Sequence, residues 1–527
     1  MGVKDITVSP IVDASGRPMV SAQGGAFKAG QRFDREVAGW TPLLRSADAD
    51  ILPDMNLTAA RTRDLIRNFG LASGAVQTHL DNIVGSGLRL VAQPNYRLLG
   101  ISADFAAKWS RDIESRFWSW AYDVDFYCDA ARRLNLAGMQ NQGLLSFLSS
   151  GEICAVSEWL PNRGSRYATA IKMVSRDRLS NPNGTADAVR LRGGVEMDAN
   201  GAPVAHHFRE ALPSDSRFAG AQTHTWKRIP TFTPWGRRRV IHIYEQEWAG
   251  QTRGLTRAVA SLVSSKKLDR FEETALEAAI INAMYAAVIE SDLTGVEDAL
   301  GGDDTATEYL KAANTFHQGA GIKFDGAKIP HLFPNEKLHF PRPGQPTDTF
   351  APFEQAFLRH MAAGWGLSYE QLSRDYSQTN YSGARAGLME SWKRFMSMRE
   401  KVVGEFSRQV YALWLEEEMD RDPALTPPGA PSFWEAKTAW TRCSWIGPGK
   451  GHIDPLKEQK AISIKIADGR STMQDELSED GKDWEETLEQ TARELKRKAE
   501  LEQEYGIKFP GADIATAAAS SPDTVTP

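Results

Sequence analysis

The residues that most resemble a catalytic or binding motif are a lysine flanked by glycines, Gly449-Lys450-Gly451. A phosphate-binding loop has GxxxxGK followed by Ser or Thr, because that hydroxyl holds magnesium. Here Gly451 and His452 follow Lys450. The sequence therefore predicts an ordinary turn at this position and no nucleotide site.

The histidines are also arranged unfavourably for binding a metal ion. His206 and His207 are adjacent in a predicted strand, so their side chains point to opposite faces of a sheet. His317, His331 and His339 lack the HxxxH spacing that places two ligands on one face of a helix. We predict surface or core histidines here and no metal site.

The acidic residues do not suggest catalysis either. Glu272 and Glu273 stand beside Lys266, Lys267 and Arg270 on a predicted helix, which is the pattern of a charged face exposed to solvent or to a neighbouring subunit. No GxSxG motif is present. The sequence therefore predicts no catalytic residue, no cofactor and no enzyme.

A polar loop is the most distinctive remaining feature. The segment from Ser368 to Ala386 lies between an apolar helical segment, Phe353 to Leu367, and an amphipathic helix that runs to about Glu418. Composition alone also fits an ordinary interhelical loop. The loop residues that could form hydrogen bonds to a partner are Arg374, Ser377, Gln378, Thr379, Asn380 and Tyr381.

Basic residues accompany this loop on the predicted helices. They are Lys266, Lys267, Lys393, Arg394 and Arg399. Such residues are either solubility charges beside an apolar stripe or a basic lining for nucleic-acid phosphates. Their spacing does not distinguish the two interpretations.

Length and composition limit the class of protein. A chain of 527 residues exceeds what one core usually serves, so several domains are expected. The net charge of −6 argues against a protein that clamps nucleic acid by bulk attraction, although DNA could still slide along it. The three cysteines, Cys128, Cys154 and Cys443, form no CxxC pair and fit a reducing compartment. We expect no signal segment and no membrane span.

The first half of the chain predicts an α+β domain with a helical lead. We expect helices at Leu57–Val84, Asp104–Tyr122 and Leu134–Ser150, and a strand at Leu88–Ala92. Period-two segments then predict further strands, and Asn200-Gly201 predicts a hairpin turn. These strands are Ile153–Leu160, Tyr167–Val174, Gly194–Met197, Val204–Phe208 and Val240–Tyr244.

The second half predicts long helices around an insert. Gly254–Glu290 is expected to form one helix, followed by a Gly- and Pro-rich insert to Pro346. The insert should hold a short helix near Thr307–Phe316 and strands at Gly321–Phe324 and Lys337–Phe340. Asp483–Gln503 predicts a charged helix, and the last residues predict disorder.

Several segments, taken in order, resemble lambda-type phage portal proteins. The resemblance covers roughly residues 35 to 500, and no single segment is specific alone. The segments are RTRDLIRNFGLASGAVQTHLDNIVGSGLRL at 61–90, SGEICAV at 150–156, DRLSNP at 177–182, VIHIYEQEWAGQTRGLTRAV at 240–259, FPNEKLHFPRPGQPTDTFAPFEQAFLRHMAAGWGLSYEQLSRDYSQTNYSGARA at 333–386 and WIGPGKGHIDPLKE at 445–458.

The resemblance implies an α+β portal fold with a wing, a helical stem, an inserted α/β clip, a tunnel loop and a helical crown. The expected divisions are a flexible N-terminal arm at 1–55, the wing at 56–253, the first stem helix at 254–290, the clip at 291–346, the second stem helix at 347–372, the tunnel loop at 373–382, a long helix and wing return at 383–430, a C-terminal wing and crown region at 431–508, and a disordered tail at 509–527.

The resemblance also implies a function. Portal proteins form a ring, typically dodecameric, at one capsid vertex, through which double-stranded DNA is packaged and later ejected without sequence recognition. The implied partners are the terminase large subunit, a head–tail connector, and the major capsid and scaffold proteins. The implied locations are the virion and, during assembly, the host cytoplasm. The alternatives are a motor or nuclease subunit of the packaging machine, or a capsid adaptor without DNA contact.

Overall fold

The computed structural model describes residues 37, 39–284, 288–291, 307–308, 311–312, 314–316, 322–324, 327–329, 336–339, 350–450 and 455–506. The predicted flexible arm, clip and disordered tail therefore lie largely outside the described residues. The helices are α1 (Ala47–Asn68), α2 (Gly70–Ile83), α3 (Tyr96–Leu99), α4 (Ala103–Ala121), α5 (Leu136–Ser150), α6 (Ser216–Ala219), α7 (Val259–Met284), α8 (Phe350–Trp365), α9 (Tyr369–Ser373), α10 (Tyr381–Met398), α11 (Glu405–Arg421), α12 (Lys437–Trp440), α13 (Pro455–Ala467), α14 (Met473–Glu479) and α15 (Trp484–Tyr505).

The described strands form small antiparallel sheets. One sheet has the order β3-β2-β8, another has the order β4-β5-β6-β7, and three are two-stranded, β1-β13, β9-β12 and β10-β11. The strands are β1 (Arg89–Ala92), β2 (Glu152–Trp159), β3 (Thr169–Met173), β4 (Leu191–Arg192), β5 (Val195–Met197), β6 (Pro203–Arg209), β7 (Trp226–Pro230), β8 (Val240–Tyr244), β9 (Val288–Ser291), β10 (Ile322–Phe324), β11 (Ala327–Ile329), β12 (Glu336–His339) and β13 (Cys443–Ile446).

One core joins the first and last parts of the chain. Strand β1 pairs with β13, so that Leu90 lies opposite Trp445. Helix α11 crosses the centre of this core, where Trp414 is fully buried and its ring packs edge-on against Phe117 at 5.2 Å. Aromatic side chains bury the largest apolar areas, so these contacts are a main stabilising feature of the core. The α+β class predicted from the sequence is confirmed.

The first predicted helix is wrong in its start and its continuity. It begins at Ala47, inside the segment assigned to the arm, because Ser46 Oγ accepts a hydrogen bond from the Ala49 N–H and caps it. It then breaks at Phe69, whose backbone is extended and whose side chain is buried. Gly70 follows, and glycine is a poor helix former. The structure therefore has two helices where the sequence predicted one.

The predicted helix over 254–290 is also shorter than expected. Helix α7 starts only at Val259, because the preceding residues cross closely over Gly151: a Cβ on Gly254 would lie 2.2 Å from the Gly151 carbonyl oxygen. At its other end, Val288–Ser291 is strand β9, paired with β12. β-branched residues favour strands, and this strand extends into the predicted helix.

The remaining predicted elements agree with the structure within a few residues, and the Asn200-Gly201 turn does connect β5 to β6. Several described elements were not predicted, namely strands β4, β7, β11 and β13 and helices α3, α6, α12, α13 and α14. The expected helix near Thr307–Phe316 is described only in pieces. Among the described residues, no helix combines the length and apolar character that a membrane crossing requires.

Candidate functional site

Helix α8 leads through α9 to the polar loop and packs antiparallel against α7. Their contact is aromatic at one end, where the Phe271 ring stacks on that of Phe350 at 5.2 Å and meets Phe353 at 4.9 Å. At the other end Gly364 lies against Ser261, and a Cβ on Gly364 would be 2.7 Å from the serine Cβ. The small residue therefore permits the two helices to approach closely.

The loop itself comprises residues 374–380 and is held at both ends by helix caps. Ser368 and Gln371 form a reciprocal capping box at the start of α9. Arg374 ends α9 in the left-handed backbone region, with φ of 57°. Asn380 starts α10, and its side-chain oxygen accepts a hydrogen bond from the Gly383 N–H at 2.7 Å. Residues 373, 381 and 382, predicted to belong to the loop, are helical.

Short-range hydrogen bonds shape the loop interior. Asp375 accepts hydrogen bonds from the Ser377 hydroxyl and, at 2.9 Å, from the Ser377 N–H, and these two bonds lower the pKa of Asp375. The Thr379 hydroxyl donates to Glu370 at 3.2 Å. Arg374, Asp375, Ser377 and Gln378 are exposed. The loop thus presents one positive and one negative charge with exposed hydrogen-bonding groups.

The predicted contact residues consequently differ in what they can offer to a partner. Ser377 and Gln378 are exposed, whereas Thr379 is half-buried and bonded to Glu370. The Asn380 oxygen is occupied by the helix cap, although the residue is exposed. Tyr381 is the first residue of α10.

The predicted basic residues differ in their exposure and in their partners. Lys267 and Lys393 are exposed, and Lys266 forms an exposed ion pair with Asp269 at 2.8 Å. Arg394 is half-buried, and its Cγ lies 3.5 Å from where a Gly366 Cβ would be. Burial, together with the neighbouring Arg257, lowers its pKa.

Arg399 has a structural role instead. It is 5% exposed, and its guanidinium donates to the carbonyls of Ile83 at 3.0 Å, Asn82 at 2.7 Å and Pro448 at 2.8 Å. Two of these carbonyls belong to the end of α2, which a cation stabilises. Burial lowers the Arg399 pKa to about 10, which still leaves it protonated at neutral pH. We therefore no longer expect it to line a channel.

A buried ion cluster at the base of α7 was not singled out from the sequence. Arg253 donates two hydrogen bonds, each 2.8 Å long, to the two oxygens of Glu152, and both side chains are fully buried. Arg253 also donates to the carbonyls of Leu179 at 2.9 Å and Gly193. Burial alone would raise the Glu152 pKa, but Arg253 and His242 hold it well below its usual value.

A second carboxylate extends this cluster to helix α1. Asp48 accepts hydrogen bonds from the Thr252 N–H at 2.8 Å and its hydroxyl at 3.0 Å, and it pairs with Arg192 at 3.1 Å. Residues 252–254 are therefore tied to α1 and β2 just before α7 begins. Glu152 lies in the segment SGEICAV and Arg253 in the segment QTRG. Neither segment alone shows that the two residues are partners.

The cluster also contains the one grouping among the described residues with potential metal ligands, Glu152, Cys154 and His242. Glu152 already binds Arg253 through both oxygens. Arg176 lies 3.5 Å from the same carboxylate and adds a second positive charge. Burial raises the pKa of the Cys154 thiol, which opposes formation of a thiolate ligand. The grouping therefore suits an ion pair and not a metal cation.

Comparisons with known proteins give a consistent match. Residues 33–399 match the family model described as phage portal protein, lambda family. The portal protein of Escherichia phage N15 is 37% identical over 503 residues, which cover 93% of this chain and 94% of that protein. Portal protein B of Escherichia phage lambda is 35% identical over 508 residues, with 94% coverage of each.

More distant similarities were also found. A probable portal protein of Halomonas phage phiHAP-1 is 24% identical over 472 residues, covering 87% of this chain and 84% of that protein. Among solved structures, the neck of an empty gene transfer agent particle has a TM-score of 0.43 and 15% identity, covering 69% of this chain and 86% of that one. The neck of the native particle has a TM-score of 0.39 and 14% identity, covering 66% and 80%.

Proposed function

Because this chain belongs to the lambda family of phage portal proteins, we propose that it forms the ring-shaped channel through which double-stranded DNA enters and leaves the capsid. The observation that carries this function is the identity of 35–37% to two portal proteins over more than nine-tenths of the chain. The role is that of a structural component of the virion.

The loop at 374–380 is proposed as the part that contacts passing DNA. Its exposed amide and hydroxyl groups can bond phosphate oxygens, which carry no sequence information. Its single arginine is balanced by Asp375, so phosphate neutralisation stays weak. Weak contacts repeated around a ring suit a substrate that must slide, since tight neutralisation would hold it.

The partners follow from the same function. We expect residues 291–346 to face the terminase and later the head–tail connector, and the outer surface to face capsid and scaffold proteins. We also expect assembly in the host cytoplasm before incorporation into the virion. The long helices α7 and α8 are proposed as the stem that connects this insert to the rest of the protein.

Electron microscopy of the purified full-length chain tests the proposal. The expected result is a closed ring with a central hole, because head-to-tail contacts close when the rotation divides the circle. Exclusive monomers at high protein concentration and moderate salt would contradict it. Replacement of residues 291–346 by a short Gly-Ser linker should then abolish terminase binding and leave the residues around β2 folded.

A further inference from the structure

An exposed aromatic groove lies beside the end of β2. Its walls carry three tryptophans, Trp159, Trp235 and Trp434, which are 55%, 62% and 42% exposed, around a cavity of about 800 Å³. We call it the tryptophan groove. Three half-exposed indole rings present roughly 300–400 Å² of apolar surface, which is the size of patch that marks interaction sites.

The floor of the groove is held in place by the hydrogen bonds of one buried arginine. Arg237 is buried and donates to Glu416 at 2.7 Å, to the Leu413 carbonyl at 3.1 Å and to Thr169 at 2.7 Å. Its guanidinium also lies over the Trp159 ring at 5.3 Å. A groove held in this way binds at a lower conformational cost than one that must be ordered on binding.

A complementary segment precedes α1. Residues 40–45, the sequence WTPLLR, are exposed, and Trp40, Leu43 and Leu44 have exposures of 72%, 71% and 104%. Pro42 restricts the backbone toward an extended form, and proline-containing extended segments dock into aromatic-lined grooves. The segment carries one charge, Arg45, and the groove lining includes the exposed carboxylate of Asp420. The other three carboxylates of the lining are paired with arginines: Glu158 with Arg239, Glu416 with Arg237 and Glu417 with Arg421.

The segment does not occupy the groove of its own chain, since Trp40, Leu43 and Leu44 are all exposed. Asp48 is held by Thr252, next to the Arg253 that binds Glu152. The C-terminal end of the segment therefore lies near the first residue of β2. The groove lies at Trp159, seven residues along the strand, which is roughly 23 Å away. Leu44 is four positions before Asp48 and so lies at most about 14 Å from it, which leaves Leu44 short of the groove in its own chain.

We propose that residues 40–45 of one subunit dock into the tryptophan groove of the neighbouring subunit. The segment and the groove lie at opposite ends of the same sheet, so their pairing is head-to-tail, the kind of contact that a closed ring repeats. The inference rests on the ring assembly proposed above and identifies one contact within it. Arg45 then lies near the exposed Asp420 of the groove lining.

Disulfide trapping in the full-length chain tests this contact. Leu44→Cys and Trp235→Cys chains are purified separately, mixed during assembly and oxidised. Covalent dimers that contain one chain of each kind are expected, because each single variant lacks one half of the contact. The double variant should give a ladder of higher multimers. The native cysteines give little background, since Cys128 and Cys154 are buried and Cys443 is partly buried.

Trp118→Cys paired with Leu44→Cys is the matched control, because Trp118 is also a half-exposed tryptophan but lies outside the groove.

Microscopy of the same samples tests the docking contact separately from the proposed ring. Rings without the mixed dimer, or with equal dimer yields for Trp118 and Trp235, overturn the docking contact and leave the ring intact. Absence of any ring overturns the proposed function itself. A cross-link within single chains would place the segment in its own groove and also overturn the inference.

Discussion

The cluster around Glu152 and the loop at 374–380 use charged and polar groups in opposite ways. In the cluster, Arg253 and Glu152 are fully buried and bound to each other by two hydrogen bonds. In the loop, Arg374 and Asp375 are both exposed. The cluster fixes where α7 begins, whereas the loop keeps its side chains available to solvent or to DNA.

The difference concerns the cost of leaving a group unpaired. A buried carboxylate without its partner is strongly unfavourable, so every member of the cluster must stay in place. Loss of the partner of an exposed charged group changes the free energy of folding very little, because water replaces the partner. Rigid positioning and weak, replaceable binding therefore occur in different parts of the protein, and substitutions should affect stability in one part and DNA handling in the other.

The largest effect is expected for Arg253→Ala. This change leaves Glu152 buried without its main partner, so the free energy of unfolding should fall by about 3–5 kcal/mol. Chemical denaturation of the purified protein measures it. The matched control is Arg228→Ala, since Arg228 also binds a glutamate, Glu196, but at an exposed site, where the loss should be below about 1 kcal/mol. Equal losses for the two variants would contradict the distinction.

A smaller loss is expected for Arg399→Ala. It leaves three backbone carbonyls without a donor, and the free energy of unfolding should fall by about 2 kcal/mol. Lys393→Ala is the control, because Lys393 is exposed on α10, six positions before Arg399, and should change stability by less than about 0.5 kcal/mol. If Arg399→Ala instead keeps full stability and alters DNA retention in particles, the original channel-lining interpretation is restored.

Much of the local structure could be predicted from the sequence, because local patterns determine it. Helix α4 and the hairpin at Asn200-Gly201 follow from apolar spacing and turn chemistry, and both occur where expected. The position of the polar loop between helices was also predicted. These features depend on residues within a few positions of one another.

The features that sequence reasoning missed depend on distant residues. Arg253 and Glu152 are 101 positions apart, and Arg399 is 316 positions from Ile83. Nothing in the spacing of Lys393, Arg394 and Arg399 shows that only the last is buried. The break at Phe69 likewise arises because tertiary packing of its ring outweighs helix continuity. Pairings of this kind require the fold to be known.

Glu114 provides a pH-dependent contrast to the permanently charged Glu152. Burial raises its pKa from 4.5 to about 7, while its carboxylate accepts a hydrogen bond from the Ala92 N–H at 2.6 Å. The folded protein thus binds more protons than the unfolded chain between these values, so stability should fall as pH rises from about 4.5 to 7, by on the order of 1 kcal/mol. Denaturation midpoints across this range measure it.

Glu114→Gln is the control for this prediction, because an amide keeps the shape but cannot ionise. The variant should lose this part of the pH dependence. Ionised Glu114 also repels Asp483 and Glu485 near the start of α15, so protease sensitivity of the C-terminal helices should increase toward pH 7 in the native protein and not in the variant. The same pH profile in both proteins would show that Glu114 does not carry the effect.

The smallest effect on stability, and the most direct test of the loop, is expected for Gln378→Ala. Gln378 is exposed, so the free energy of unfolding and ring assembly should change by less than about 0.5 kcal/mol. Asn380→Ala removes a helix cap and should lower the free energy of unfolding by about 1 kcal/mol, whereas Asn380→Ser should retain the cap.

DNA handling should change with Gln378→Ala and change further with Gln378→Glu, because a negative charge repeated around the ring repels phosphates. Packaged DNA length and its retention in particles measure this. Normal DNA handling in both Gln378 variants, with defects only where the cap at Asn380 is lost, would make the loop a structural connection instead of a DNA contact.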